Sequence, residues 1–386
     1  MTGVMNNTQI AAAVLIPAFA AAAGAEVNLI DLLPGYTLGH TSGLSADGST
    51  LAVNMFVTQA IQYDAFAWRD GGWSSLPRMD QFNLWHGLSA DGNTTLSVSS
   101  EWGGRPRLVR VENGVRDWIT FGTDDRQLEA AMTRDGQTVF YTMGGQASGP
   151  IDVFMYSANT YPATQIMTLG DQYSRVNDVF AGSRQDRFVM NTSLLPSGIG
   201  MSSTARALLY DSNAVFEIPT LSGDTDVQSR AVGMTADGST IIGVEQDSSN
   251  LSDPDRSWMY RNGVLTEMTL DGFEHFSIGS ITDDASAWVG GAFNSDGTGE
   301  SFLVYEDGRT LSVHDLLATE GVLVGENEFA SLQHISANGA VVSGVINRGF
   351  SGAFGPEVTL FTINVPAPSS AAFALLGLGL IPRRRR

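Results

Sequence analysis

The chain has 386 residues, 41 of them acidic against 21 basic, for a formal net charge of −20. It has no cysteine and no lysine, which excludes disulfide staples, cysteine zinc sites, cysteine nucleophiles and Schiff-base chemistry. A surface this negative repels phosphate backbones and argues against nucleic acid as a partner. The 43 glycines and only 16% charged residues fit a turn-rich β protein better than a helical bundle or a disordered tail.

The chain opens with an apolar, alanine-rich run from Ile10 to Ala23, followed by the small-residue pattern Ala23-Gly24-Ala25. Residues 1–25 therefore read as a secretory signal peptide cut near Ala23 and Ala25, although no Lys or Arg precedes the run. Residues 26–364 are expected to form one domain, long enough to bury a core without covalent staples.

Self-comparison sets the expected architecture. Gly43-Leu-Ser-Ala-Asp-Gly48 returns at Gly87–Gly92, as Ala131-Met-Thr-Arg-Asp-Gly136 and as Gly233-Met-Thr-Ala-Asp-Gly238. Weaker copies stand at Ser280–Ala285 and His334–Gly339, and a degenerate one at Asp178–Ser183, so the spacing is 44 to 55 residues. That spacing predicts an all-β, seven-bladed β-propeller. In each unit a first strand enters the Asp-Gly turn and a second leaves it, as in Thr50–Met55. The third strand ends near an aromatic (Trp68, Tyr156, Tyr210, Tyr260, Tyr305, Phe361; Val111 is the exception), and Asp70-Gly71, Asn113-Gly114, Asn262-Gly263 and Asp307-Gly308 then turn into a short fourth strand. The last unit lacks a fourth strand, and residues 27–33 are expected to supply it beside the 357–363 strand, closing the ring. An open solenoid or two sandwiches would not leave such complementary fragments at the two ends.

The Ser-Ala-Asp-Gly-Ser-Thr phrase with its apolar strand and Ala65-Phe66-Ala67-Trp68 resembles the extracellular HAF-type repeat, and it is similar to the Ser-Pro-Asp-Gly phrase of TolB-type propellers. These motifs are structural punctuation and carry no catalytic residues over.

In this reading the Asp-Gly and Asn-Gly turns share one face of the ring. The variable loops, among them 99–105 with Trp102, share the other, where recognition is expected. His40, His86, Trp102 and His334 are the candidate binding residues: the three imidazoles lie in or just before first strands and are placed to face a central channel. No HExxH or comparable ligand spacing accompanies them, so no metal site is assigned. Calcium is the one cation with suggestive oxygens, at Asp247, Asp253 and Asp255 and along Asn294–Glu300, although neither matches an EF-hand loop. No nucleophile elbow, P-loop or dinucleotide fingerprint occurs in a supporting context.

The tail combines Val365-Pro366-Ala367-Pro368-Ser369, an uncharged apolar run, and Arg383, Arg384, Arg385 and Arg386. Four guanidiniums stay on the cytoplasmic side of a bilayer, and the run is shorter than the ~20 residues of a permanent span. Residues 365–386 resemble the PEP-CTERM sorting signal, with Ala367 where an acidic residue usually stands. The resemblance implies transient inner-membrane insertion, cleavage by an exosortase-type enzyme and release to the cell surface or extracellular matrix. The expected function is a non-catalytic binding or structural propeller contacting exopolysaccharide or envelope components; the alternative is a propeller glycosidase or polysaccharide lyase.

Overall fold

The computed structural model describes residues 26–57, 62–75, 82–100, 107–121, 128–144, 150–158, 160–194, 204–224, 227–247, 255–296, 298–325, 328–350 and 356–365. Strand β1 (Val27–Asp31) precedes a first unit of β2 (Tyr36–Leu44), β3 (Thr50–Val57), β4 (Gln62–Arg69) and β5 (Gly72–Ser75). The second unit contains β6 (Phe82–Leu88), β7 (Thr94–Ser100), β8 (Arg107–Glu112) and β9 (Val115–Phe121). The third contains β10 (Leu128–Met132), β11 (Thr138–Met143), β12 (Ile151–Ser157) and β13 (Thr160–Leu169). The fourth contains β14 (Tyr173–Ala181), β15 (Arg187–Leu194), β16 (Ala205–Asp211) and β17 (Ala214–Glu217). The fifth contains β18 (Val227–Met234), β19 (Thr240–Asp247), β20 (Arg256–Arg261) and β21 (Val264–Met268). The sixth contains β22 (His275–Ile281), β23 (Ala287–Phe293), β24 (Gly299–Tyr305) and β25 (Thr310–Ser312), and is followed by helix α1 (Val313–Thr319). The last contains β26 (Phe329–Ile335), β27 (Val341–Phe350) and β28 (Pro356–Asn364).

Within each unit the strands pair antiparallel in chain order. Single parallel pairs, Tyr63 with Phe82 and Arg256 with Phe276, join the first unit to the second and the fifth to the sixth. β1 lies antiparallel beside β28, with Val27 opposite Ile363 and Asp31 opposite Thr359. The described residues are thus all-β apart from α1, and no helix among them is long and apolar enough to cross a membrane.

The repeated phrase forms a self-bonded turn. In the first unit the Ser45 N–H donates to the Thr50 carbonyl at 2.9 Å and the Gly48 N–H to the Ser45 carbonyl at 2.9 Å. The Asp47 carboxylate accepts from the Ser45 hydroxyl at 2.7 Å and from the Ser49 N–H at 3.0 Å. Gly48 takes φ +78°, which explains glycine there. Turns also reach one another: Ala46 N–H donates to Ala90, Ala90 to Arg134, Arg134 to Gly182 and Ser183 to Ala236. Farther along, Asp283 donates to Ala337 and Asn338 to Ala46. Arg134 additionally makes an ion pair with Asp283 at 2.9 Å, linking the third unit's turn to the sixth's. Ala181 pairs with Phe188 as Leu44 pairs with Leu51, and the Ser183 N–H donates to Ala236 as Ala46 does to Ala90, so the degenerate copy sits two residues later than the 178–183 reading.

The core lies between successive sheets. Second strands are buried on both faces, as all of Thr50–Met55 are, and their side chains fill the gap to the neighbouring unit. Phe140 stacks on Phe188 at 4.4 Å between the third and fourth units. Ile30, Leu51 and Phe66 cluster with Val341, Val345 and Leu360 between the last unit and the first. Trp258 is fully buried because Gly243, paired opposite it, has no side chain; a Cβ there would lie 2.1 Å from the indole.

Several local expectations are corrected. Asp70-Gly71, Asn113-Gly114 and Asn262-Gly263 form two-residue turns with positive φ at both positions, but at Asp307-Gly308 only the glycine is so placed. Ser212-Asn213 makes the same two-residue turn without any glycine. Tyr305 pairs with Ala287 and Phe361 with Gly344, out of register with the Leu51–Trp68 pair of the first unit. The connection after β25 begins as α1, capped where the Asp315 N–H donates to the Ser312 hydroxyl and seated by buried Val313, Leu316 and Leu317.

Candidate functional site

The first strands of the last, first and second units bring His334, His40 and His86 into one electrostatic neighbourhood, since the His40 charge bears on both of the others. Asn54 Nδ2 and His40 Nε2 lie 2.7 Å apart, and the same amide donates to the Ser42 hydroxyl at 2.7 Å. His334 Nε2 is 2.9 Å from the Thr41 hydroxyl, which also bonds Gln333. His86 is bonded to the backbone of Ala130 on β10. Burial lowers the pKa of all three. For His86 burial and then repulsion from His40 bring it to about 4. His334 also falls to about 4, chiefly through burial, with a hydrogen bond to the Thr41 backbone opposing and His40 adding to the fall. The group is therefore neutral near neutral pH and is bonded to neighbouring strands, His40 within its unit and His334 and His86 to the next unit. Among the described residues no three His, Asp or Glu groups form a metal-holding cluster.

Of the suggested calcium oxygens, those of Asp296 and Asp255 are engaged locally, while the Asp247 side chain lies outside the described residues. Asp296 accepts from the Thr298 N–H at 2.8 Å and the Thr298 hydroxyl at 2.6 Å, closing a solvated turn. Asp255 lies 4.0 Å from Arg230, and burial raises its pKa more than that arginine lowers it. Asp253, Trp102, the signal segment with Ala23 and Ala25, and the tail from Pro366 to Arg386 lie outside the described residues. Val365 is described: it is buried and its N–H donates to the Ala340 carbonyl at 2.8 Å.

A feature not found by reading motifs lies between the fourth and fifth units on the turn face. It is a cleft of about 650 Å³ walled by Arg184, Arg187, Asp211, Phe216, Asp237 and Tyr260. Its origin is an exchange of residue types across one strand pair. In the first unit Thr50 pairs with Arg69. Arg69 lies across the next turn, donating from Nε to the Thr50 hydroxyl at 2.7 Å and from Nη2 to the Gly92 carbonyl at 2.8 Å. In the fourth unit the corresponding pair is Arg187 with Asp211. Arg187 packs under Gly238 and binds Asp211 at 2.8 Å, and the short aspartate leaves the space beyond it open. Arg184 closes one side through two 2.9 Å bonds to Asp186. Aligning strand pairs rather than turn phrases would have shown the exchange.

No protein-family model matches the chain, and no curated protein matches it. Solved structures do match in fold. The β-propeller domain of the Trilobed protease from Pyrococcus furiosus aligns at TM-score 0.54 and 10% identity, covering 84% of this chain and 95% of that one. Oligogalacturonate lyase from Vibrio parahaemolyticus aligns at TM-score 0.54 and 10% identity, covering 88% and 92%. A prolyl endopeptidase aligns at TM-score 0.52 and 14% identity over 81% of this chain, which spans 47% of that enzyme's length. At these identities the likeness concerns fold alone, and the chain has the all-β architecture of β-propeller proteins.

Proposed function

We propose that the chain is an exported, seven-bladed propeller, closed by β1 as the outer strand of the last blade, that binds polysaccharide at the cell surface or in the extracellular matrix without cleaving it. The β1–β28 pairing supports closure. So does the circuit of first-strand neighbours, β2 to β6, β10, β14, β18, β22, β26 and back to β2. Export through residues 1–25 and sorting through residues 365–386 by an exosortase-type enzyme rest on the sequence resemblance.

The observation that carries the non-catalytic reading is the histidine group. The titratable side chains that the first strands bring together are held neutral and are each bonded to their own or the adjacent strand, an arrangement suited to tying blades together. The second reading, a lyase, draws on the likeness to oligogalacturonate lyase over 92% of that chain and on the neutrality of the imidazoles, which a proton-abstracting base requires.

The test is incubation of the purified protein with the host's own extracellular polysaccharide, with and without calcium. Sedimentation reports retention, reducing-end assay reports new chain ends, and ultraviolet absorbance reports unsaturated sugar ends. Retention without new ends is expected; unsaturated ends that vanish in His86→Gln would replace the binding role with the lyase.

A further inference from the structure

We infer that the cleft between the fourth and fifth units is a subsite for an uncharged pyranose ring, an inference that rests on the polysaccharide-binding reading and gives it a location. Phe216 is 53% exposed at the mouth although it sits on a strand paired with β16, so among the described residues an aromatic face is presented to solvent. Half-buried Tyr260 stands on the opposite unit's β20 as a second aromatic wall, and buried Leu209 lies on the strand beneath. An aromatic face next to hydrogen-bonding groups suits a sugar, whose axial C–H face stacks while its hydroxyls reach polar partners. Asp237, Ser239 and Asn262 line the same space and offer both acceptors and donors.

Electrostatics selects among sugars. Arg187 is committed to Asp211 and Arg184 to Asp186, with Arg184 also 3.6 Å from Asp211. Asp237 is held ionised: burial would raise its pKa, but hydrogen bonds from Ser239 and Thr235 and the Arg187 charge outweigh it. Two guanidiniums therefore face three carboxylates, on a chain of net charge −20, and an anionic uronate gains nothing on entering. The volume of about 650 Å³ accommodates one or two rings, so the cleft fits a residue of a longer neutral chain laid across the turn face. This face is opposite the long loops on which sequence reasoning placed recognition.

The test is calorimetric titration of the purified protein with neutral gluco-, galacto- and manno-hexaoses and with a galacturonate hexamer, beside Phe216→Ala, Phe216→Trp, Asp237→Asn and the distant control Phe329→Ala. Phe329 is also exposed, at 56%, and lies on β26 outside the cleft. At least one neutral hexaose is expected to bind, weakened about tenfold or more by Phe216→Ala, restored by Phe216→Trp, unchanged by Phe329→Ala, and bound more tightly than the galacturonate hexamer. Equal affinity for wild type and Phe216→Ala, or tighter binding of the galacturonate hexamer, overturns the inference. If the host polysaccharide is retained equally by wild type and Phe216→Ala, the cleft assignment fails while the binding function stands. Failure to retain any glycan overturns both. New chain ends with Phe216→Ala still weakening retention overturn only the non-catalytic reading.

Discussion

The turn carboxylates set the rigidity of the framework, and Asp91 allows their contribution to be worked out. Its Oδ1 accepts the Ser89 hydroxyl at 2.6 Å and the Asn93 N–H at 3.0 Å, while Oδ2 accepts Asn93 Nδ2 at 3.0 Å. The Ser89 hydrogen bond, then the Asn93 N–H, lower its pKa below the ordinary carboxylate range despite the opposing effect of burial. Hydrogen bonds to an ionised group contribute about 1.5–3 kcal/mol each when shielded, and exposure at this turn reduces that, so Asp91→Ala is expected to cost about 2 kcal/mol. Asp91→Asn is expected to cost under about 1 kcal/mol, because Asn338 already holds the equivalent turn of the last unit, accepting the Ser336 hydroxyl at 2.8 Å and the Ala340 N–H at 3.0 Å. Since the folded pKa lies below the unfolded one, the carboxylate's share is complete above about pH 4 and is lost as pH falls through the folded value. Urea unfolding of the three proteins from pH 7 to pH 3, at constant slope, measures this. Equal losses for Ala and Asn at pH 7, or a gap between wild type and Asp91→Asn that does not narrow in acid, would refute the reasoning.

Three further outcomes follow from packing and charge. Gly243→Ala places a Cβ 2.1 Å from the Trp258 ring and 2.4 Å from the Arg230 carbonyl, and is expected to destabilise by about 3 kcal/mol or more, read by thermal unfolding. Ile30→Ala empties a site 2% exposed on β1, in the core between the last unit and the first, and is expected to cost about 2–4 kcal/mol, with raised protease sensitivity at the β28 edge. His86 and His334, lowered to about 4 from the ordinary 6.5, let the unfolded chain take up protons first. Stability is then full above about pH 6.5 and falls toward pH 4 by on the order of 3 kcal/mol per histidine, flattening in His86→Gln/His334→Gln.

The architecture was legible where a backbone requirement forces a residue type. Gly48, Gly92, Gly136 and Gly238 all take positive φ, so the phrase containing them survives divergence of the strands around it. The fourth copy faded because its turn, Ser183 to Asp186, is held by Arg184–Asp186 bonds that need no glycine. The Ser212-Asn213 turn hid for a similar reason, since a polar side chain can occupy the left-handed region that glycine usually marks. Helix α1 carries a local signature in the sequence, Ser312 three residues before Asp315 ahead of an apolar pair.

The cleft between the fourth and fifth units was less legible because it depends on what fails to fill a space. Arg69 and Asp211 occupy corresponding ends of third strands, and each looks ordinary in a strand of mixed polarity. Only their partners, Thr50 and Arg187, reveal that a long side chain has moved from the third strand to the second. With the arginine on the third strand its guanidinium reaches across to the next turn's carbonyl; with it on the second, the reach ends at Asp211. An arginine therefore closes one blade boundary from the third strand and leaves another open from the second. In a repeat protein whose turns are nearly identical, specificity is written in such exchanges, and comparison of paired positions across blades is the reading that finds them.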